Sequence, residues 1–256
     1  MRQPTQHVEK WLRRFHPAPD GETRLVCLPH AGGSASFFHP VSKALAPAVE
    51  VLAVQYPGRQ DRRHEPAVDT ISDLADQILD TLRHLDDRPL VLFGHSMGAV
   101  LGYEVALRMP AAGLPPPVHL VVSGRRAPSR YRDERVRHLS DDRIVSELRD
   151  LSGTEPAMLA DPELLEMILP AVRSDYRAIE TYRHAPDQRV DCPITVLTGD
   201  RDSRVSLDEA HAWAEHTTGP MDLHVLPGGH FFLVDRSADV IAKLRQVLSA
   251  RAARSS

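Results

Sequence analysis

The sequence predicts an α/β protein: a mostly parallel central sheet with helices on both faces and a helical insertion late in the chain. Three observations carry that expectation. Short apolar runs alternate with stretches of helical periodicity along most of the chain. The apolar runs end in loops rich in Gly, Pro, Ser, Asp or Arg, which is where working residues gather in parallel sheets. One such junction reads Gly94-His95-Ser96-Met97-Gly98, with an apolar run before it and a helix-like pattern after it. A length of 256 residues suits one large domain with an inserted subdomain better than two independent domains.

The elements follow in order. Residues 1–22 read as a polar lead-in that Trp11, Leu12 and Phe15 pin to the body. A strand over 25–28 ends at the loop Pro29-His30-Ala31-Gly32-Gly33-Ser34. A helix over 37–45 stops near Pro47, and a strand over 49–55 ends at Tyr56-Pro57-Gly58-Arg59. Ile71, Leu74, Ile78, Leu82 and Leu85 have helical spacing, with Thr70 and Asp73 placed as an N-terminal cap. A strand over 90–93 and a helix over 97–109 flank Ser96. A strand over 118–122 ends at Ser123-Gly124-Arg125-Arg126-Ala127-Pro128. From about 129 to 191 no strand is expected; Ile144-Leu148-Leu151 and Leu164-Leu165-Ile168-Leu169-Val172 are helical patterns, and an insertion of this kind reads as a lid. Alternation resumes with a strand over 194–197, a helix over 207–216, a strand over 223–226 and a closing helix over 234–248, before a frayed tail from Ala250.

Composition narrows the function. Hydrophobic residues make up 42% and charged residues 26%, which suits a globular protein, and the net charge of −4 argues against a nucleic-acid binder. No apolar run reaches membrane-spanning length, and residues 1–15 lack the apolar core of a signal peptide. Cys27 and Cys192 read as buried, reduced thiols of a cytoplasmic protein. No metal and no resident cofactor is expected.

The chemistry centres on Ser96. Flanking glycines let a serine occupy a sharp strand-to-helix turn, where its hydroxyl stands above the sheet edge. A serine hydroxyl needs an adjacent base. His230 is the candidate among the fourteen histidines: it follows a late strand, sits behind Gly228-Gly229 and precedes Phe231-Phe232. Most of the others lie in polar or helical stretches that predict solvated or capping roles. The acid should follow the strand over 194–197, which offers Asp200 and Asp202. The Gly-x-x-Asp spacing of hydrolases with this architecture selects Asp202, leaving Asp200 as a turn residue or ion-pair partner. The order Ser96, Asp202, His230 is that of α/β-hydrolases. Two backbone N–H groups should bind the developing oxyanion, one from Met97 and one from Ala31 in the early glycine loop.

Taken together, these stretches resemble the type II thioesterases that accompany polyketide synthases and nonribosomal peptide synthetases. The matching segments are Phe15-His16-Pro17, Leu28-Pro29-His30-Ala31-Gly32-Gly33-Ser34, Gln55-Tyr56-Pro57-Gly58-Arg59, Gly94-His95-Ser96-Met97-Gly98-Ala99, Ser123-Gly124-Arg125-Arg126-Ala127-Pro128, Gly199-x-x-Asp202 and Gly228-Gly229-His230-Phe231-Phe232. The resemblance implies the α/β-hydrolase fold, a lid at about 129–191, and a substrate held as a thioester on the phosphopantetheine arm of an acyl or peptidyl carrier protein. It implies an editing role in trans, removing stalled or misprimed acyl groups.

Other readings stand beside this one. A carboxylesterase or lipase of the same fold would prefer oxygen esters. A product-releasing or cyclising domain would share the fold, and the initiating methionine argues modestly against it. A non-catalytic carrier-binding protein would not need a complete triad. Arg59, Arg62, Arg63, Arg125 and Arg126 follow strand ends and are expected to be solvated or internally paired, against the alternative of contacting the pantetheine phosphate or an acidic carrier surface. Met158, Leu164, Met167 and Leu169 are expected to pack within the lid, with an acyl chamber as the other possibility.

Overall fold

The computed structural model of the chain describes residues 4–151 and 158–249. The described residues form one seven-stranded sheet. Its strands are β1 (Leu12–Arg13), β2 (Thr23–Leu28), β3 (Val49–Val54), β4 (Leu90–His95), β5 (His119–Ser123), β6 (Ile194–Gly199) and β7 (Met221–Leu226). Their spatial order is β1-β3-β2-β4-β5-β6-β7. Every pairing is parallel except β1 with β3, where Leu12 faces Val54 and Arg13 faces Ala53. The expected mostly parallel sheet is therefore present. β4, the strand that leads to Ser96, is the middle strand and is buried along its whole length.

Side-chain alternation divides the core between the two faces of the sheet. From β2, Val26 and Leu28 join one cluster while Leu25 and Cys27 join the other. Helices α3 (Ile71–Leu82) and α4 (Met97–Arg108) cover the first face; α2 (His39–Leu45) and α9 (Ser237–Ser249) cover the second. The Thr70 side chain accepts the Asp73 N–H and caps α3 as its spacing predicts. Both cysteines are buried and unpaired, and burial pushes the Cys192 thiol up to about 12.

Several boundaries differ from the sequence expectation; the helix expected over 37–45, for example, is a 3-10 turn over Ala35–Phe38 followed by α2. The lead-in contains helix α1 (Pro4–Trp11) and the edge strand β1; Trp11 and Leu12 anchor it, each 3% exposed. A two-residue strand leaves no periodic signal, and its pairing with β3 is decided far along the chain. The helix expected over 207–216 is α7 (Leu207–His211) followed by a 3-10 turn, Ala212–His216. The closing helix is split into α8 (Phe232–Asp235) and α9. The expected tail from Ala250 lies outside the described residues.

Between β5 and β6 the described residues are helical, with α5 (Asp141–Leu151), α6 (Pro162–Thr181) and 3-10 turns at Val136–His138 and Met158–Ala160. The only strand-like feature described there is a single bridge from Val190 to Thr217. Residues 152–157 of the expected lid lie outside the described residues. The insertion has a small core of its own, built from Val136, Ile144, Val145, Leu148, Leu159, Leu169 and Val172. No helix among the described residues is long and apolar enough to cross a membrane.

The tightest packing is where α4 leaves β4. A Cβ on Gly94 would lie 2.0 Å from the Gly98 carbonyl oxygen, and a Cβ on Gly98 would lie 2.0 Å from the Leu28 carbonyl oxygen. Both obstacles are backbone, so neither can swing away. Gly98→Ala is expected to displace α4 from β2 and destabilise the fold by about 3 kcal/mol or more, read as a shift of the urea unfolding midpoint.

Candidate active site

Ser96 sits between β4 and α4 with φ 54° and ψ −115°. A residue with a Cβ rarely adopts this conformation, and the surroundings hold it there. The Ser96 N–H donates to the Ser123 carbonyl at 2.8 Å, while the two glycine contacts leave no room for the turn to relax. Ser96 lines a cavity together with His30, Ala31, Met97, Arg125 and His230. Met97 opens α4, so its N–H has no acceptor within the helix.

His230 follows β7 and Asp202 follows β6, so neighbouring parallel strands deliver both to the same sheet end. His230 Nδ1 lies 3.1 and 3.0 Å from the two Asp202 carboxylate oxygens. The Asp202 side chain is wholly buried and also accepts the Arg204 N–H at 2.8 Å. Asp200 is half exposed and instead accepts the Gly228 N–H at 2.8 Å, which shapes the loop carrying His230. The spacing thus selected the aspartate that reaches the histidine. No hydrogen bond within 3.5 Å joins Ser96 to His230 among the described residues; such contacts commonly tighten once substrate is bound.

The early glycine loop is held from several sides. The Gly33 N–H donates to the His30 carbonyl at 2.9 Å, closing a turn in which Gly32 has φ +76°. The Gly32 N–H donates to Asp175 Oδ2 of α6 at 2.7 Å. Arg59 clasps the same carboxylate with two nitrogens, at 2.7 and 2.9 Å, and donates to the Gly33 carbonyl at 3.0 Å. Tyr56 Oη donates to the Pro29 carbonyl at 3.1 Å, and Gln55 Oε1 accepts the Ala35 N–H at 2.9 Å. The Gln55-Tyr56-Pro57-Gly58-Arg59 motif thereby acquires a structural task. The Ala31 N–H, by contrast, has no acceptor among the described residues.

Two further histidines surround the catalytic candidates. His95 lies with its ring centre 5.1 Å from that of His230, and its Nδ1 meets Ser123 Oγ at 3.0 Å. His30 packs edge-on against Phe37 and Phe231, each with ring centres 4.7 Å away. Burial, with the charge on His230 adding to it, pulls His30 down to about 3 and His95 well below the usual histidine range. Both are neutral at physiological pH. Sequence reasoning assigned neither a role, because a histidine inside a glycine motif gives no sign of burial.

The loop arginines separate. Arg59 pairs with Asp175. Arg62 pairs with Glu65 and lies 4.2 Å above the Trp11 ring; Arg126 pairs with Glu134. Internal pairing holds for these three, while Arg63 is exposed. Arg125 lines the cavity and forms no ion pair among the described residues; its Nε has no hydrogen-bond partner. Burial and the nearby Arg126 and Arg204 charges pull its guanidinium down to about 10. The apolar wall of the cavity comes from Leu148, Leu151, Ile179 and Phe231. Of the lid residues singled out in the sequence, Leu169 is buried in the insertion's own core and Met167 is 49% exposed. Leu164 is half-buried, and the Met158 side chain lies outside the described residues. No group of three or more His, Cys, Asp or Glu among the described residues could hold a metal ion.

A Gly-x-Ser-x-Gly turn at the end of the middle strand, with an aspartate and histidine from the ends of later strands, is the arrangement of an α/β-hydrolase. Residues 23–248 match the thioesterase domain family. A probable cadicidin biosynthesis thioesterase of Streptomyces griseus is 53% identical over 93% of this chain, which spans 66% of that relative's length. Thioesterase PikA5 of Streptomyces venezuelae is 49% identical over 88% of this chain and 81% of its own. The solved structure of the type II thioesterase BorB, from the borrelidin biosynthetic cluster, is 50% identical and superposes with a TM-score of 0.86, covering 93% of this chain and 97% of that one. The chain belongs to the thioesterase family and is a thioester hydrolase.

The buried histidines set a pH dependence. Their unfolded rings titrate near 6.5, whereas the folded rings resist protonation far below that value. The unfolded state therefore binds more protons, and stability falls as pH drops below 6.5. Glu65 and Glu134, held at about 2 chiefly by arginine partners that outweigh burial, add their own loss only below about 4.5. Between pH 6.5 and 4.5, urea titrations should show a loss of about 1 kcal/mol per pH unit from His30, with His95 adding in the same direction. His30→Gln should flatten that slope. A midpoint that stays level across the window would exclude their neutral burial.

Proposed function

We propose that the protein is an editing, type II thioesterase that frees carrier proteins from unwanted acyl groups. The observation that carries this reading is the meeting of the strained Ser96 turn and His230, backed by the buried Asp202 carboxylate, at one small, largely apolar cavity beneath the helical insertion. The names of the relatives support the pathway class, polyketide or nonribosomal peptide assembly. The substrate is then an acyl thioester on the phosphopantetheine arm of an acyl or peptidyl carrier protein in the cytoplasm, with no resident cofactor needed.

In this reading Ser96 Oγ attacks the thioester carbonyl while His230 Nε2 takes its proton. Asp202 holds the Nδ1–H tautomer and stabilises the imidazolium that forms. The N–H groups of Met97 and Ala31 receive the negative charge on the carbonyl oxygen. The intermediate collapses, the carbon–sulfur bond breaks, and the sulfur takes up the proton held by His230 and leaves as the pantetheine thiol, with the Ser96 acyl ester behind and His230 neutral again. Water deprotonated by His230 then attacks that ester, releasing the acid and restoring the Ser96 hydroxyl. A thiol is a better leaving group than an amine, so protonating it matters less here than in a protease.

The helical insertion acts as the lid, contributing Leu148, Leu151, Tyr176 and Ile179 to the cavity wall. A cavity volume of about 40 Å³ is open to the centres of water-sized atoms. At ~10–15 Å³ for one such atom, that space suits a short acyl chain unless the lid moves.

Two measurements test the reading. Ser96→Ala should lower turnover of an acyl-carrier thioester by about three to six orders of magnitude with unchanged folding; turnover near the wild-type rate removes Ser96 as nucleophile. Across carrier-bound acetyl, propionyl, butyryl and octanoyl groups, kcat/KM should be highest for the short chains. A matched oxygen ester should be the poorer substrate, and a strong preference for it would make the enzyme a carboxylesterase.

A further inference from the structure

We infer that Arg59 and Asp175 are positioning residues for the oxyanion donor at Ala31, and that helix α6 of the insertion sets the geometry of that donor. The inference rests on the proposed role of Ser96 and the Ala31 N–H.

The peptide that carries the Ala31 N–H lies between His30 and Ala31, and the flanking peptides are fixed one by one. Upstream, Tyr56 holds the Pro29 carbonyl. Downstream, Asp175 takes the Gly32 N–H and Arg59 takes the Gly33 carbonyl. These constraints leave Ala31 as the free donor: with its neighbour's N–H already committed to a carboxylate, only one amide of the pair remains for a substrate oxygen. Preorganisation of this kind matters because a donor must already point at the developing charge when the reaction begins.

The clasp spans three segments far apart in sequence: the loop after β2, the loop after β3, and α6. It is also protected. Asp175 is 0% and Arg59 8% exposed, so water competes poorly for either group. A second contact ties the same points together. A Cβ on Gly32 would lie 2.9 Å from Val172 Cγ2, one turn before Asp175 on α6. Gly32 therefore answers both to its positive φ and to the close approach of the helix. Displacing α6 by even an ångström would pull on the Gly32 peptide through Asp175, so the insertion both roofs the cavity and orients part of the catalytic apparatus.

Removing Asp175 alone would strand a buried guanidinium and endanger folding. The decisive variant is the double change Arg59→Met with Asp175→Leu, which removes both charges and fills their volume. Asp175→Asn is the milder companion, keeping an acceptor for Gly32 while weakening the clasp. For each, kcat and KM on butyryl-pantetheine are measured, with the affinity for a pantetheine trifluoromethyl ketone, whose serine adduct carries the oxyanion, and the thermal midpoint. In the double variant, kcat should fall about 10- to 1,000-fold, as when one oxyanion donor is lost. KM should stay within about threefold, and affinity for the ketone should fall in parallel with kcat/KM. Asp175→Asn should show the same pattern with a smaller loss. A purely structural clasp would lower the melting point yet leave kcat and ketone affinity at wild-type values in the folded fraction of either variant, and that result overturns the inference. Ser96→Ala, run alongside, separates the two readings: if it retains turnover, the assignment of the site has failed, whatever the clasp variants show.

Discussion

The molecule depends on a contact between two pieces of backbone. α4 begins so close to β4 and to the end of β2 that neither glycine flanking Ser96 has room for a Cβ. This approach holds Ser96 in a conformation it would not choose alone, and places a helix N-terminus directly behind it. The same approach brings the end of β2, and with it the loop containing Ala31, over the first turn of α4. The Ser96 turn, the Met97 N–H and the loop containing Ala31 are thus products of one packing event rather than separate assemblies. The remaining two groups arrive by sheet order: β6 and β7 lie side by side, and their following loops bring Asp202 and His230 within hydrogen-bond distance.

Around this contact the protein keeps charge under close control. Three imidazoles crowd the site, and burial keeps two of them, His30 and His95, neutral. His30 and His95 are too deeply buried to take up a proton, so they act as aromatic packing that places His230 without adding repulsive charge. The buried charges that do exist are paired. Asp175 beside Arg59 raises that guanidinium above the usual arginine range despite the opposing effect of burial. Glu134 bridges Arg126 and Arg204 at the cavity wall. Arg125 is the exception, a cation facing the cavity with no ion pair among the described residues.

The insertion is joined to this centre more firmly than the image of a lid suggests. Its helices have their own apolar cluster, which lets them form a unit, but α6 also sends Asp175 beneath the glycine loop and Glu180 to the N–H groups of Val136 and Arg137. Two buried carboxylates of one helix therefore hold the insertion together and reach the glycine loop. Asp175 ties α6 directly to the Gly32 peptide.

Much of this was legible in the chain itself, for local reasons. Apolar runs and helical spacing marked the sheet strands other than β1, since those signals depend on near neighbours and on burial from both faces. Ser96, Asp202 and His230 were legible because each follows a strand, and parallel strands share one working end. What the chain could not disclose was long-range. β1 is two residues paired with a strand forty positions away. The burial of His30 and His95 depends on Phe37 and Phe231 closing over them from opposite ends of the chain. Asp175 carried one faint sign, an acidic residue in step with the apolar positions Ile168 and Val172, but nothing in the sequence names Arg59 as its partner. The motif around Arg59 could be matched in the chain, while its purpose came only from tertiary structure. Local periodicity determines elements and strand-end chemistry; only the folded chain decides which buried charge meets which, because that depends on distances between segments remote in sequence.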